Sequence, residues 1–227
     1  MGQFDDYEKL AEEIRGCTMC GLCTTRNTVV VDRGDPTAKL MFIGEAPGGS
    51  DDVTGQALVG RPGAELDQLL EEAGVEKFII VNILKCRPPR NKFPGDSESY
   101  HGAEVVDICT PWLDKQLALV KPKVIVLVGG KAAAHTIYRG REAPPVKNMV
   151  GKRMRSPDYP GVDIFGIYHP SYMLRLKRMN QADYDQIRED TIGLLRNAQS
   201  VVNDEPIDLA PVHVSRKSDK GEQLNFF

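Results

Sequence analysis

The chain has 227 residues, of which 41% are hydrophobic and 27% are charged, and its formal net charge is −3. This length and composition allow one sizeable core and one or two domains. The net charge gives no overall argument for a nucleic-acid partner, and no apolar stretch approaches the roughly 18 residues that span a bilayer. The segment Met1–Glu8 is acidic and lacks an apolar signal sequence, so a cytoplasmic protein without a membrane partner is expected.

The apolar pattern predicts alternating helices and strands. Residues 6–15 have an apolar face typical of an amphipathic helix. Four short runs rich in Val and Ile predict strands covered on both faces: Leu40–Ile43, Phe78–Ile83, Val124–Val128 and Ile164–Tyr168. Further helical patterns lie between and after them, at Ala64–Ala73, Val105–Val120, Lys131–Tyr138 and Tyr184–Ala198. Such alternation indicates an α/β protein with a parallel sheet and right-handed crossovers.

The end of the chain differs in composition from the rest. Past about residue 200 the sequence becomes polar, and it finishes in Gln223-Leu-Asn-Phe-Phe227. We expect one folded domain over residues 1–199 and a flexible tail with an apolar tip over residues 200–227.

Polar residues or glycines follow each of the four predicted strands. They are Gly44-Glu45-Ala-Pro-Gly48 after the first strand, Asn82 at the end of the second, Gly129-Gly130 after the third and His169 after the fourth. Ligands of open α/β sheets bind outside the carboxyl ends of the strands. The pattern therefore predicts one site assembled from several loops, with a carboxylate aimed into it.

The five cysteines favour a metal centre. Cytoplasmic chains seldom keep structural disulfides, and Cys17 and Cys20 have the spacing that lets two thiolates reach one metal. With Cys86 and Cys109 they could bind structural zinc or an iron–sulfur cluster. No separate second C-x-x-C pair stands farther along the chain, as it would in a zinc ribbon, and this favours the cluster. Cys23 is left over and is interpreted as a small apolar residue.

Basic residues are concentrated in three places. These are residues 121–155, the group Lys85, Arg87, Arg90 and Lys92, and the group Arg175, Lys177 and Arg178. A positive face on an acidic protein is compatible with a polyanionic partner, although solvated surface explains any single group equally well.

Taken together, the motifs resemble those of family 4 uracil-DNA glycosylases. The matching segments are Cys17-x-x-Cys20, Lys39–Gly48, Thr54-Gly55, Val59-Gly-Arg61, Asn82–Pro89, Pro111-Trp-Leu113, Lys121–Val126 and His169-Pro-Ser-Tyr-Met-Leu-Arg175. The resemblance covers residues 8 to 198. It implies a three-layer α/β/α sandwich around a four-stranded parallel sheet, a 4Fe-4S cluster, and hydrolysis of the N-glycosidic bond of deoxyuridine in DNA.

The resemblance also implies roles for single residues. Glu45 and His169 take the catalytic positions, and Asn82 takes the position that reads the uracil edge, with Gly44, Gly48 and Leu58 also at substrate-binding positions. Ser171, Leu174 and Arg175 fall in a loop that contacts DNA, with Leu174 as a wedge in the minor groove. Cys17, Cys20, Cys86 and Cys109 fall at the cluster positions. The protein is expected to act as a monomer. It is also expected to be a monofunctional glycosylase, because no motif places a lysine as nucleophile.

Two departures from the family pattern stand out. Leu58 occupies the place of the phenylalanine that stacks on uracil in the family, which offers apolar contact without a ring. The segment between Cys86 and Cys109 is long, with an insertion at residues 93–102 that contains His101. A branch of the superfamily uses a histidine in a comparable insertion to attach covalently to DNA. The basic run that precedes that histidine is missing from this chain, so His101 is expected to be an exposed loop residue.

Two further hypotheses concern partners. The tip Gln223–Phe227 resembles the short bacterial motif that binds the replicative sliding clamp. Leu58 leaves room for an alternative function, a DNA-binding module of the same fold in which base excision is lost or altered and which acts in a replication or repair assembly.

Overall fold

A computed structural model describes residues 2–94, 102–139 and 142–214 of the chain. His101, most of the 93–102 insertion and the tip Gln223–Phe227 lie outside the described residues.

One mixed sheet forms the centre of the molecule. Its strands are β1 (Arg33–Gly34), β2 (Leu40–Gly44), β3 (Ile79–Asn82), β4 (Val124–Val128), β5 (Arg153–Arg155), β6 (Asp163–Ile167) and β7 (Val212–His213), in the order β1-β3-β2-β4-β6-β5-β7. The four predicted strands are confirmed as its central parallel part, β3-β2-β4-β6. Every residue of these four strands is buried, in keeping with their mainly apolar sequence, which only Asn82 and Asp163 at strand ends interrupt with polar side chains.

Short strands that the sequence did not indicate extend both edges of the sheet. Strand β1 pairs antiparallel with β3, while β5 pairs antiparallel with β6 and parallel with β7. Runs of two or three residues carry too little periodicity to predict a strand.

Seven α-helices lie within the described residues. They are α1 (Gln3–Arg15), α2 (Gly49–Thr54), α3 (Gly60–Ala73), α4 (Gly102–Val120), α5 (Gly130–Thr136), α6 (Pro170–Met179) and α7 (Gln181–Val202). Apolar residues of α1, α4 and α5 pack in the core on one face, and those of α3, α6 and α7 pack in the core on the other. The α/β/α sandwich is thereby confirmed, and none of the helices in the described ranges is long and apolar enough to cross a membrane.

Helix α6 corrects one prediction. The segment Ser171–Arg175, expected to be a loop, forms the first turns of this helix. Pro170 occupies its first turn, where a missing N–H costs nothing, and the His169 side chain accepts a hydrogen bond from the Ser171 backbone N–H. The predicted loop residues are therefore held on a rigid element.

The boundary predicted at residues 199/200 falls inside α7, which continues to Val202. Farther on, Val212–His213 pair with β5, and the Val214 backbone N–H donates to the Arg155 carbonyl oxygen at 2.8 Å. The polar composition after residue 200 thus accompanies a chain that stays attached to the sheet edge as far as Val214.

Candidate active site at the carboxyl ends of the parallel strands

A cleft of about 600 Å³ opens beside the carboxyl ends of the parallel strands. Its walls come from the loop after β2, the start of α3, the segment after β3 and the start of α6. The lining residues include six of the predicted site residues: Glu45, Gly48, Leu58, His169, Ser171 and Arg175. Pro88, Asn91, Phe93 and Tyr172 complete much of the remaining wall, and no lysine belongs to the described lining.

Asn82 lies at the end of β3, directly opposite Gly44 in the parallel register. The Asn82 side chain is only 1% exposed, yet neither its Oδ1 nor its Nδ2 has a hydrogen-bond partner among the described residues. A Cβ atom at position 44 would lie 2.3 Å from Asn82 Oδ1. Glycine is therefore required at position 44 to leave room for this amide, which is buried and unpaired and is not part of the described cleft lining.

Glu45 and His169 meet over Gly129, at the ends of β2, β6 and β4. A Cβ atom on Gly129 would lie 2.8 Å from Glu45 Oε1 and 3.4 Å from His169 Cβ. Gly129 also has a φ of +92°, in the region that favours glycine. Both the space and the backbone conformation explain the glycine, which lets the carboxylate and the imidazole approach each other across the strand ends.

The environment of His169 fixes its protonation. Burial, assisted by the positive charge of Arg175, lowers its pKa to about 4, so the imidazole is neutral at physiological pH. Its Nδ1 accepts from the Ser171 N–H at 3.2 Å and lies 2.8 Å from Ser171 Oγ. Because Nδ1 acts as an acceptor, the proton of the neutral ring is on Nε2, which is left as a hydrogen-bond donor.

Asp51 holds two loops of the cleft together, a role that sequence reasoning missed. Its carboxylate accepts from the Gly48 N–H at 2.9 Å and from the Val59 N–H at 2.8 Å. Asp52 next to it accepts from the backbone and the side chain of Asn27, at 2.9 and 2.6 Å. A Gly-Ser-Asp-Asp run at a helix start suggests that its acids accept backbone hydrogen bonds. The sequence does not indicate their distant partners, Val59 and Asn27.

Two residues of the cleft lining have a strained backbone. Among the five described non-glycine residues with positive φ, Leu58 (+52°) and Asn91 (+57°) line the cleft and Arg90 (+54°) precedes Asn91, while Lys121 and Asp204 lie outside the lining. Residues held in this region cost free energy and are found preferentially at functional sites. Leu58 is 6% exposed and lies in the core on the α3 side of the sheet, whereas Phe93 lies in the core on the opposite side.

The predicted DNA-contact residues lie at the mouth. Ser171 and Arg175 line the cleft, and the Arg175 guanidinium is 5.8 Å from the centre of the Tyr172 ring. Arg175 is exposed and Leu174 is half-buried; Leu174 is not part of the described lining.

The cysteines lie behind the sheet end, on the α4 side. Cys86 and Cys109 are buried, Cys17, Cys20 and Cys23 are partly exposed, and no disulfide joins any of them within the described residues. Burial raises the pKa of Cys86, with further increases from Cys20 and Cys17, and burial raises that of Cys109 to about 11, with smaller contributions from Cys86 and Cys20. Cys17, Cys20, Cys86 and Cys109 thus share one neighbourhood, although no group of three or more possible ligands within the described ranges stands at metal-binding distances.

Two hydrogen bonds are aimed at the cysteine sulfurs. Arg26 Nη1 donates to Cys86 Sγ at 3.2 Å, and the Lys85 backbone N–H donates to Cys109 Sγ at 3.3 Å. Such donors stabilise thiolates rather than thiols. The cysteine sulfurs and the hydrogen-bond donors around them therefore fit a thiolate-bound metal centre. The positive charge of a metal would also offset the cost of burying thiolates.

Comparison with known proteins assigns the family. The model of the uracil DNA glycosylase superfamily matches residues 31–191. A type-4 uracil-DNA glycosylase of Sulfurisphaera tokodaii is 33% identical, covering 82% of this chain and 84% of the relative. The chain belongs to the type-4 uracil-DNA glycosylases. Type-4 relatives from Thermotoga maritima (34% identical; 74% of this chain and 83% of the relative) and Archaeoglobus fulgidus (32%; 82% and 93%) agree.

Family membership confirms the resemblance inferred from the motifs.

The structure corrects the interpretation of one basic residue. The sequence pattern predicts that Lys85 belongs to a basic surface group with Arg87, Arg90 and Lys92, but its side chain is 1% exposed. Burial lowers its pKa to about 8, against the opposing effects of Cys109, Asp32 and Cys86. Lysine is so rarely buried that its sequence neighbourhood alone gave no reason to expect this.

Proposed function

We propose that this protein is a monofunctional uracil-DNA glycosylase that hydrolyses the N-glycosidic bond of deoxyuridine and so initiates base excision repair. The observation that carries the proposal is the buried, unpartnered amide of Asn82 beside a cleft lined by Glu45 and His169. Membership of the type-4 family supports it. A DNA-binding module without base excision is not favoured, because the fold keeps this costly amide unsatisfied next to an acid and a histidine.

Asn82 reads the base. Its amide offers one acceptor and two donors, which complement N3–H and O4 of uracil and mismatch the corresponding atoms of cytosine. Neither atom has a hydrogen-bond partner among the described residues, so both can pair with a base that reaches them. A site that hydrogen-bonds its substrate through buried polar groups strongly rejects an analogue that leaves them unpaired.

Glu45 acts on the sugar. Cleavage of the glycosidic bond develops positive, oxocarbenium-like charge on the deoxyribose. A carboxylate in the cleft stabilises that charge or orients the water that attacks the sugar. The absence of a side chain at Gly129 leaves room for the Glu45 carboxylate beside the strand ends.

His169 acts on the leaving base. As uracil departs, negative charge develops on its O2, and a donor placed there stabilises the transition state more than the ground state. The neutral His169 ring, with its proton on Nε2, supplies such a donor without itself carrying a charge that would compete with Glu45. Ser171 holds the ring in this tautomer.

The base must leave the duplex before these residues can reach it. Flipping costs a few kcal/mol of stacking and pairing, which contacts to the surrounding DNA must offset. Arg175 is exposed at the mouth of the cleft for a phosphate or groove contact, and half-buried Leu174 is the wedge that fills the vacated stack. Their position in the first turns of α6 ties both to the same helix that begins at His169.

Type-4 glycosylases are the 4Fe-4S family, and Cys17, Cys20, Cys86 and Cys109 would hold the cluster in this chain. The cluster would supply structure rather than reactivity, since hydrolysis transfers no electron. It would join the loop after α1 to the segment after β3 and to α4. Arg26, which also donates to the Cys17 carbonyl oxygen at 2.8 Å, already links the first two of these.

The C-terminal tip Gln223–Phe227 would dock on the replicative sliding clamp. A glutamine followed by apolar and aromatic anchors on a tether suits a groove, and tethering raises the local concentration of the enzyme at newly made DNA. Deletion of residues 223–227 is expected to abolish clamp binding and to leave excision unchanged. Clamp binding by the shortened protein would refute this role.

The enzymatic proposal is tested by excision of uracil from a single-uracil oligonucleotide. Glu45→Gln keeps the size of the side chain and removes its charge, and it is expected to lower the excision rate by about 10²–10³-fold. Glu71→Gln, a matched change at an exposed position of α3, should retain the wild-type rate. Equal rates for the wild type and Glu45→Gln would defeat the assignment.

A further inference from the structure

Lys85 is a buried cation that the chemistry above does not use. It follows β3 by three residues and is 1% exposed. Its Nζ donates to the Asn82 carbonyl oxygen at 2.6 Å and to Gln116 Oε1 at 2.5 Å. Charged side chains are almost never fully buried unless they are paired, so these two contacts account for how the fold tolerates this one.

Lys85 is itself held in place from behind. Gln116 Nε2 donates to the Tyr7 hydroxyl at 2.8 Å and to the Val31 carbonyl oxygen at 3.1 Å, and Tyr7 donates to Asp32 at 2.8 Å. The Lys85 ammonium is thereby connected to α4, to α1 and to the segment that leads into β1. Networks of buried hydrogen bonds of this kind restrict the motion of the side chains that they join.

The backbone of Lys85 faces the cysteines. Its N–H donates to Cys109 Sγ at 3.3 Å, and the next residue is Cys86. A single residue therefore bonds to the cysteine region through its main chain and to Asn82 through its side chain.

The hydrogen bond from Lys85 to the Asn82 carbonyl oxygen helps to fix the position of Asn82. Its side chain has no hydrogen-bond partner among the described residues, so only packing and its main chain fix where the amide points. We propose that Lys85 is a positioning residue for base recognition: by holding the Asn82 carbonyl oxygen, it fixes the amide that reads uracil and couples it to the cysteine region. The proposal rests on the proposed function. A recognition group needs such support because a displacement of about 1 Å can lower the rate about 10²-fold.

The test compares Lys85→Met, which keeps most of the length and loses the donors, with the wild type. The readouts are the inhibition constant for free uracil, kcat and KM on a single-uracil oligonucleotide, the iron content per chain and the urea midpoint. We expect the uracil inhibition constant of folded, iron-loaded Lys85→Met to rise about 10–100-fold, with kcat/KM falling in parallel. Lys77→Met, a change of an exposed lysine whose side chain is 57% accessible, is the matched control.

A purely structural role for Lys85 gives a different result. It would lower the urea midpoint or the iron content and leave the uracil inhibition constant of the remaining folded protein at the wild-type value, which would overturn the proposal. If Lys85→Met does not fold, Lys85→Gln takes its place, because the amide can donate to one of the two acceptors at most. The uracil inhibition constant of folded Lys85→Gln then decides the proposal in the same way. Absence of excision by the wild type would instead count against the proposed function itself.

Discussion

Two buried amides on neighbouring parts of this protein have opposite environments. Gln116 of α4 is 0% exposed and bonded at both ends, to Lys85 through Oε1 and to Tyr7 and Val31 through Nε2. Asn82 of β3 is 1% exposed, and neither end is bonded within the described residues. The same chemical group serves in one place as an internal connection and in the other as an open recognition element.

The contrast separates stability from function. A buried polar group without a partner costs about 1–3 kcal/mol, whereas a bonded one contributes about 1 kcal/mol. The fold accepts that cost at Asn82 only if a ligand supplies the missing partners. Substitutions at the two amides should therefore affect different properties.

The largest effect is expected from Asn82→Leu, which replaces the open amide by an apolar side chain of similar size. Uracil excision should fall by about 10²–10³-fold, because the hydrogen bonds to the base are lost. The free energy of unfolding should stay unchanged or rise by about 1 kcal/mol, because no unpaired group remains buried. Excision kinetics and urea titration measure the two effects. A clear loss of stability would mean that Asn82 is bonded inside the free protein.

The reverse outcome is expected from Gln116→Leu. Lys85 and Tyr7 each lose a partner in a buried site, so the free energy of unfolding should fall by about 3 kcal/mol. Urea unfolding measures this decrease, and Gln186→Leu on the exposed face of α7 is the control with little expected change. If Gln116→Leu were as stable as the wild type, the two amides would not differ as described.

A smaller effect concerns pH on the cleft side. His169 has a pKa near 4 in the folded protein and an ordinary value of 6.5 when unfolded, so between these values the unfolded state binds a proton that the folded state does not. As the pH falls from 6.5 to 4.5, this difference should lower the free energy of unfolding on the order of 1–2 kcal/mol. His169→Gln removes the titration, and parallel urea titrations at both pH values should show a weaker pH dependence for the variant. An unchanged dependence would contradict the buried, neutral state of His169.

The smallest effect is expected at the apolar wall. Leu58→Phe adds a ring against the base, and stacking on an aromatic side chain contributes about 1–3 kcal/mol. Because Leu58 already has a φ of +52°, the substitution adds no new backbone strain. We expect KM for a single-uracil substrate to fall about fivefold, at the low end of that range, with kcat little changed. An increase in KM would indicate that the cleft has no room for the ring.

Much of the central sheet and of the candidate site could be predicted from the sequence, because the site residues follow the strands directly. Four apolar runs gave the central sheet, and the rule that ligands bind at its carboxyl ends selected Glu45, Asn82 and His169 for one site. The structure places Glu45 and His169 in the cleft lining and Asn82 at the neighbouring strand end, outside the described lining, while the chemical roles stay predictions. Periodicity could not indicate the edge strands, and the burial of Lys85 depends on Gln116 and Tyr7, which are far away in sequence. The α6 helix was missed because the motif was interpreted as a loop, although Pro170 at the first helical position is typical of a helix start.

The hydrogen bond between Tyr7 and Gln116 joins residues 109 positions apart in the chain. During synthesis at about 5–20 residues per second, Tyr7 therefore emerges roughly 5–20 seconds before the residue that completes its environment. Until then α1 lacks the helix against which it packs, and a contact of such long range is slow to form because a long loop must close first. Helix α1 is thus synthesised well before α4 and cannot pack stably until α4 has been made.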